Sequence, residues 1–161
     1  MRLTCDTCVI IYAFENPNMA QMMKIRLHLE KCDIFVSSVT IAELQRKGFD
    51  AYDVIKTVQQ SLGIKILVQD VTDIEKIQAL AMASRYPKLH GGDREILAFS
   101  LHHKSTLLTC DKGLIQCCNR FGGNVINPHK IATHRINRNT SFSRFTSRIR
   151  KMSTKYQEVK P

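Results

Sequence analysis

Short apolar runs separated by amphipathic helical stretches recur along most of this chain, and no other feature limits its fold so tightly. Leu3 to Ile11 is a nearly continuous apolar run broken by Asp6, the pattern of a strand buried on both faces. Asn16-Pro17 offers a helix cap with proline in the first turn, and Met19, Met22, Met23, Leu27 and Leu29 follow at mostly helical spacing. Ile34-Phe35-Val36 is a second strand. Thr40-x-x-Glu43 matches a capping box in the next helix, which opens at Ser37, runs to Lys47 and stops at Gly48. A helix over Asp50 to Leu62 ends at Gly63, and Ile64 to Val68 is the third strand. Thr72 to Arg85 reads as an amphipathic helix on Ile74, Ile77, Leu80, Ala81 and Ser84. Gly91-Gly92-Asp93 begins a helix that continues to Lys104. Thr106 to Thr109 is a strand, Lys112 to Phe121 a helix, and Asn124 to Ile126 a last short strand. Strands alternating with helices predict an α/β fold, a three-layer α/β/α sandwich with a central parallel sheet of about five strands.

Charge divides the chain in two. The whole carries 24 Lys+Arg against 14 Asp+Glu, a formal net of +10. Residues 129–161 hold nine of the basic residues and one acid, Glu158, which leaves only +2 for residues 1–128. The expected organisation is a folded domain over 1–128 and a basic Ser/Arg-rich extension over 129–161. Such a distribution disfavours a uniformly basic nucleic-acid coat. In the extension, Phe142, Phe145, Ile149 and Met152 keep a rough helical spacing, and Phe142, Phe145 and Tyr156 interleave with arginines.

The longest apolar run, Cys8 to Phe14, is too short to span a bilayer, which takes ~20 residues. No convincing signal peptide precedes it, so the chain is expected to be cytoplasmic and free of the membrane. Six cysteines include a Cys5-x-x-Cys8 pair, but a zinc ribbon needs a second such pair, and the other close pair is the adjacent Cys117-Cys118. Reduced thiols are expected, with Cys5 and Cys8 acting as small hydrophobes.

Ligands of open parallel sheets gather beyond the carboxyl ends of the strands. Four acids fall at such places: Asp6 in the first strand, Glu43 in the helix after the second, Asp93 after two glycines, and Asp111 behind Leu107-Leu108-Thr109-Cys110. Three have ordinary structural explanations. Asp93 suits a helix N-cap, Glu43 a capping box, and Asp111 a turn before Lys112-Gly113. Asp6 has none, since a carboxylate inside an apolar run costs several kcal/mol unless a partner or a cation holds it.

Leu3-Thr4-Cys5-Asp6-Thr7-Cys8-Val9-Ile10-Ile11 resembles the opening strand of PIN-domain nucleases. Ser37-Ser38-Val39-Thr40-Ile41-Ala42-Glu43-Leu44, Gly92-Asp93-Arg94-Glu95-Ile96-Leu97-Ala98-Phe99 and Leu107-Leu108-Thr109-Cys110-Asp111 are similar to that family's next three motifs, in order. The ordered set covers about residues 2–127 and is closest in style to VapC-type toxins of toxin–antitoxin pairs. The resemblance implies that Asp6, Glu43, Asp93 and Asp111 form an acidic metal site hydrolysing RNA. Thr7 and Thr109 would orient a ligand or water, and Glu95 would be an accessory acid or a favourable first-turn charge. An oxygen-only set of this kind suits Mg²⁺ or Mn²⁺ rather than zinc. Positive charge for the RNA backbone would come from Arg94, Lys112 and, in the extension, Arg144, Arg148, Arg150 and Lys151. A cognate antitoxin and a homodimer are further implications.

Two other readings stand beside the toxin: a non-catalytic RNA-binding module working through the basic extension, and a PIN nuclease of RNA processing. Haloacid-dehalogenase chemistry wants a second Asp where Cys8 stands. A receiver domain wants an adjacent acidic pair that is missing. Both are set aside.

Overall fold

The computed structural model describes residues 1–133. Its strands are β1 (Arg2–Cys5), β2 (Asp33–Ser37), β3 (Ile66–Gln69), β4 (Thr106–Leu108) and β5 (Asn124–Ile126). They form one sheet in the order β3-β2-β1-β4-β5, and every neighbouring pair is parallel. Between them run α1 (Thr7–Glu15), α2 (Pro17–Leu27), α3 (Ser38–Arg46), α4 (Ala51–Leu62), α5 (Asp73–Arg85), α6 (Gly91–His102) and α7 (Lys112–Arg120). This is the expected three-layer α/β arrangement with five parallel strands. Strand alternation supplies both faces: Leu108 joins the core under α1, α2 and α4, whereas Leu107 joins the one under α5, α6 and α7. The chain steps outward from β1 through β2 to β3, then crosses back to lay β4 on the other flank of β1. That reversal puts the crevice beside the carboxyl end of β1.

Several local expectations are corrected. The first strand stops at Cys5, and α1 begins at Thr7, not after Ile11. The apolar run continues unbroken because β1 is buried on both faces and α1 then buries Val9, Ile10 and Ala13. Asp6 is therefore the joint between strand and helix. The capping box at Thr40 is also absent: Ser37 caps α3, its Oγ accepting from the Thr40 amide at 3.3 Å. Glu43 is left in mid-helix with no capping duty. Asp93 is not an N-cap either; His90 holds that position and Asp93 lies in the first turn of α6. The third strand starts at Ile66, not Ile64.

On α5 the stripe of Ile74, Ile77 and Leu80 faces solvent, these residues being 59%, 66% and 71% exposed. The inward face carries Ala79, Met82 and a fully buried Glu75. A true capping box explains it: Glu75 Oε2 accepts from the Thr72 amide at 2.6 Å and its hydroxyl at 2.8 Å, while the Thr72 oxygen caps the Glu75 amide. His103, just past α6, brings Nε2 within 3.0 Å of Glu75 Oε1 and stacks on Phe99.

Beyond the expected boundary at 128 the chain forms α8 (Pro128–Thr133), which packs on α2; the Ile131 carbonyl accepts from Arg26. Arg144, Arg148, Arg150, Lys151 and the interleaved aromatics lie outside the described residues. Among the described residues no helix is long and apolar enough to cross a membrane.

His103→Ala would remove the imidazole that faces Oε1 of a fully buried carboxylate, an oxygen that accepts no hydrogen bond of its own. Urea unfolding should show a loss of ~1–3 kcal/mol, the usual cost of a stranded buried polar group.

Candidate active site

The joint at Asp6 is the centre of the site. Its side chain is 4% exposed, and its amide donates to the Leu108 carbonyl at 3.0 Å, pinning it between β1 and β4. Oδ2 accepts from Thr109 Oγ1 at 2.6 Å and from the Cys8 thiol at 3.0 Å. The Thr109 oxygen in turn accepts from the Asp111 amide at 3.0 Å, so one hydroxyl fixes both the first and the last acid. Across the cleft, the Thr7 hydroxyl donates to Glu43 Oε2. Both threonines are buried and spend their hydroxyls on orienting carboxylates.

Asp6, Glu43, Asp93 and Asp111 line one open cleft of about 810 Å³. They come from the ends of β1 and β4 and from the helices α3 and α6. Gly92 makes the meeting of α3 and α6 feasible: a Cβ there would collide with Oε1 of Glu43 and lie 3.3 Å from its carboxyl carbon and from Val39. Asp111 has a structural role too, as the N-cap of α7 and not the expected turn, its Oδ1 accepting from the Leu114 amide at 2.6 Å. It stays exposed, and only Oδ1 is committed to the cap.

Crowding is visible in the ionisation of Asp93. Burial raises its pKa to about 6, helped by the charges of Asp6, Glu43 and Asp111, while His90 opposes the rise. Such repulsion is what a cation relieves, and the donors are all hard oxygens. Among the described residues no three carboxylate, imidazole or thiol groups stand close enough to enclose an ion as they are. The donor set, oriented by hydroxyls around an open cleft, fits a Mg²⁺- or Mn²⁺-type ion that keeps several waters.

The remaining candidates separate. Thr7 lines the cleft, and Thr109 supports it from behind. Glu95 is half-buried outside the lining. Arg94 is also outside, its guanidinium donating to the Leu89 carbonyl at 2.7 Å. Lys112 is exposed next to Asp111, away from the cleft wall. Basic residues that do line it are Arg46, Lys47 and the exposed His90. Arg46 and Lys47 follow Glu43 by three and four residues, a spacing that puts them on its side of α3 and was legible in the sequence.

All six cysteines are free thiols. Cys5 behaves as the expected buried hydrophobe, its pKa pushed up to about 12 by burial. Cys8 does not. Its sulfur accepts from the Cys110 amide at 3.2 Å and donates to Asp6 Oδ2 at 3.0 Å. A hydrogen bond to Cys110, then burial and the Asp6 charge, hold its proton on. Cys110 moves the other way, to about 7, lowered by the neighbouring Cys8 and by the His129 amide against the rise from burial.

The PIN domain family matches residues 3–118. The chain belongs to that family. Solved structures agree on the fold. The VapBC2 complex of Rickettsia felis, bound to a promoter DNA fragment, superposes with a TM-score of 0.61 at 16% identity, covering 79% of this chain and 98% of that one. VapBC-1 from nontypeable Haemophilus influenzae gives 0.59 at 17%, covering 80% and 99%. A toxin–antitoxin complex from Klebsiella pneumoniae gives 0.55 at 22%, covering 78% and 97%. No curated protein matches in sequence.

Because the Asp93 pKa is raised above the unfolded value of 3.8, the folded state holds the extra proton between pH 4 and 6. Without metal, the Asp93 contribution to stability should therefore be fully present below about pH 4 and be lost as pH rises through about 6. Thermal melts across that range should show the decline, and Asp93→Asn should flatten it.

Proposed function

We propose that this PIN domain is a Mg²⁺- or Mn²⁺-dependent endoribonuclease in which Asp6, Glu43, Asp93 and Asp111 hold the metal. The observation that carries the reading is the convergence of these four carboxylates, from four separate elements, on one cleft. Bound Mg²⁺ or Mn²⁺ would polarise the phosphodiester and acidify a water there. The chain's own contribution is positioning. Thr109 and Cys8 donate to Asp6, fixing which oxygen stays free. Thr7 does the same for Glu43. Arg46 and Lys47, on the cleft wall, give phosphates a place to rest against a site that otherwise repels them.

The basic extension serves the same end. It is attached to α8, whose His129 ring lies 5.4 Å from that of Tyr12, a cleft residue. Residues beyond 133 thus depart from a helix that touches the cleft wall, carrying eight basic residues and one acid. The neighbouring VapBC assemblies support a toxin role with a cognate antitoxin as protein partner.

A mixed RNA pool incubated with the full chain should be cleaved with Mg²⁺ or Mn²⁺ and not with EDTA. Asp6→Asn should reduce the rate at least ~100-fold, in line with losing a group that orients the reacting centre. Cleavage that survives both controls, or no metal-dependent cleavage at all, removes the reading. Independently, Mn²⁺ should raise the melting temperature of the wild type and not of an Asp6→Asn, Asp93→Asn double variant.

Truncation after Thr133 should keep α8 in place while weakening RNA binding and flattening its dependence on salt. An unchanged salt slope would assign the extension to some other partner.

A further inference from the structure

Two thiols stand beside the acids, Cys8 in the cleft lining and Cys110 next to Asp111, and the sulfur of neither reacts in this chemistry. Cys8 stands two residues after Asp6 on α1, and Cys110 stands one residue before Asp111 behind β4. The fold brings them together across 102 positions, with the Cys110 amide donating to the Cys8 sulfur at 3.2 Å. A sulfur that close to the neighbour's own amide is within reach of the neighbour's sulfur after a side-chain rotation. Both residues are partly exposed, and Cys8 lines the open cleft, so a small oxidant can enter. The other thiols differ. Cys5, Cys117 and Cys118 are buried, and the Cys32 thiol donates to the Leu27 and His28 carbonyls.

We propose that Cys8 and Cys110 are an oxidisable pair whose disulfide disarms the carboxylate cleft, a regulation that rests on the nuclease reading above. The oxidant is a peroxide. One sulfur, as thiolate, attacks a peroxide oxygen; the O–O bond breaks, the sulfur becomes a sulfenic acid and a hydroxide leaves as water. The second sulfur attacks the first, the S–S bond forms, the S–O bond breaks, and a second water departs with the remaining proton. Both sulfurs are oxidised by one electron each, and one peroxide is reduced to two waters. A thiol reductant reverses the step by exchange.

Disulfide formation acts on the site through two contacts. A bridged Cys8 has no proton to donate, so Asp6 Oδ2 keeps Thr109 as donor and loses the other. The bridge also pulls Cys110 toward α1, and Asp111 is the next residue along that strand exit. One covalent event therefore changes the hydrogen bonding of Asp6 and shifts Asp111.

The test uses the reduced full chain, treated with hydrogen peroxide and then alkylated after unfolding for peptide mapping. A Cys8–Cys110 linked peptide, lighter by two hydrogens, is expected while the other four cysteines alkylate. Metal-dependent RNA cleavage should fall at least ~10-fold and return with dithiothreitol, which separates reversible bridging from higher oxidation. Cys110→Ser, compared with itself before and after peroxide, should give no linked peptide and no drop. A bridge between other cysteines, over-oxidation without a bridge, or a bridged protein that cleaves at the reduced rate overturns the proposal. If the chain cleaves no RNA, the nuclease reading fails by itself. The pair is then judged by the Mn²⁺-induced melting shift, which bridging must abolish.

Discussion

Asp6 occupies the carboxyl end of the central strand at 4% exposure, where an ionised carboxylate costs several kcal/mol unless donors or a cation reach it. Much of the surrounding structure supplies that need. β4 has to lie beside β1, because Thr109 reaches Asp6 only from the end of an adjacent parallel strand. The crossover from β3 back to β4 is what puts it there, and α6 on that crossover carries Asp93 to the same crevice. On the other flank, β2 feeds α3, and α3 brings Glu43 to Thr7. The site is thus a consequence of sheet order: each acid is delivered by an element whose place is set by its neighbour's pairing with β1.

Having gathered the acids, the fold does not neutralise them. The hydroxyls and the thiol that contact them orient lone pairs without adding positive charge, and Arg46 and Lys47 are exposed on the cleft wall, outside the hydrogen-bond network of the acids. Asp93 shows the result, since it retains a proton well above the ordinary carboxylate range. A purely structural cluster would instead pair its acids, as the fold does with Glu75, which is equally buried but has Thr72 and His103 to answer it. The two buried carboxylates of this small domain are met differently: Glu75 faces an imidazole, whereas Asp6 is met only by a hydroxyl and a thiol and lines the cleft among other acids.

Element order, parallel sheet and the four acids were legible because each leaves a local mark: an apolar run, a cap, a polar residue at the end of a strand. What escaped had no local mark. The stretch Leu3–Phe14 reads as one apolar run, since a strand buried on both faces and a helix buried beside it look alike to periodicity over so few residues. The cap of α3 was misplaced because Ser37 and Thr40 are both good caps, and strand length decides between them. The α5 stripe was read correctly as apolar, but its direction depends on Glu75, whose inward turn is fixed by a capping box and a histidine twenty-eight residues away. Contacts such as Cys8–Cys110 join distant segments and become visible only once the strands are paired.

The charge of the chain takes on a different meaning once the cleft is known. A net of +10 suggests nucleic-acid binding by mass attraction, yet residues 1–128 contribute only +2 of it. Four acids at one crevice produce a local field that repels a polyanion at short range, and over a Debye length of ~8 Å a distant basic segment does little to offset it. Positive charge helps only if it is delivered close to the crevice. α8 meets that condition: its first turn sets the His129 ring against Tyr12, which lines the cleft, and its amide against Cys110, the residue before Asp111. Under the proposed reading, a basic segment attached there would concentrate RNA without neutralising the acids proposed to hold the metal, so that the two opposed charges act on the same substrate.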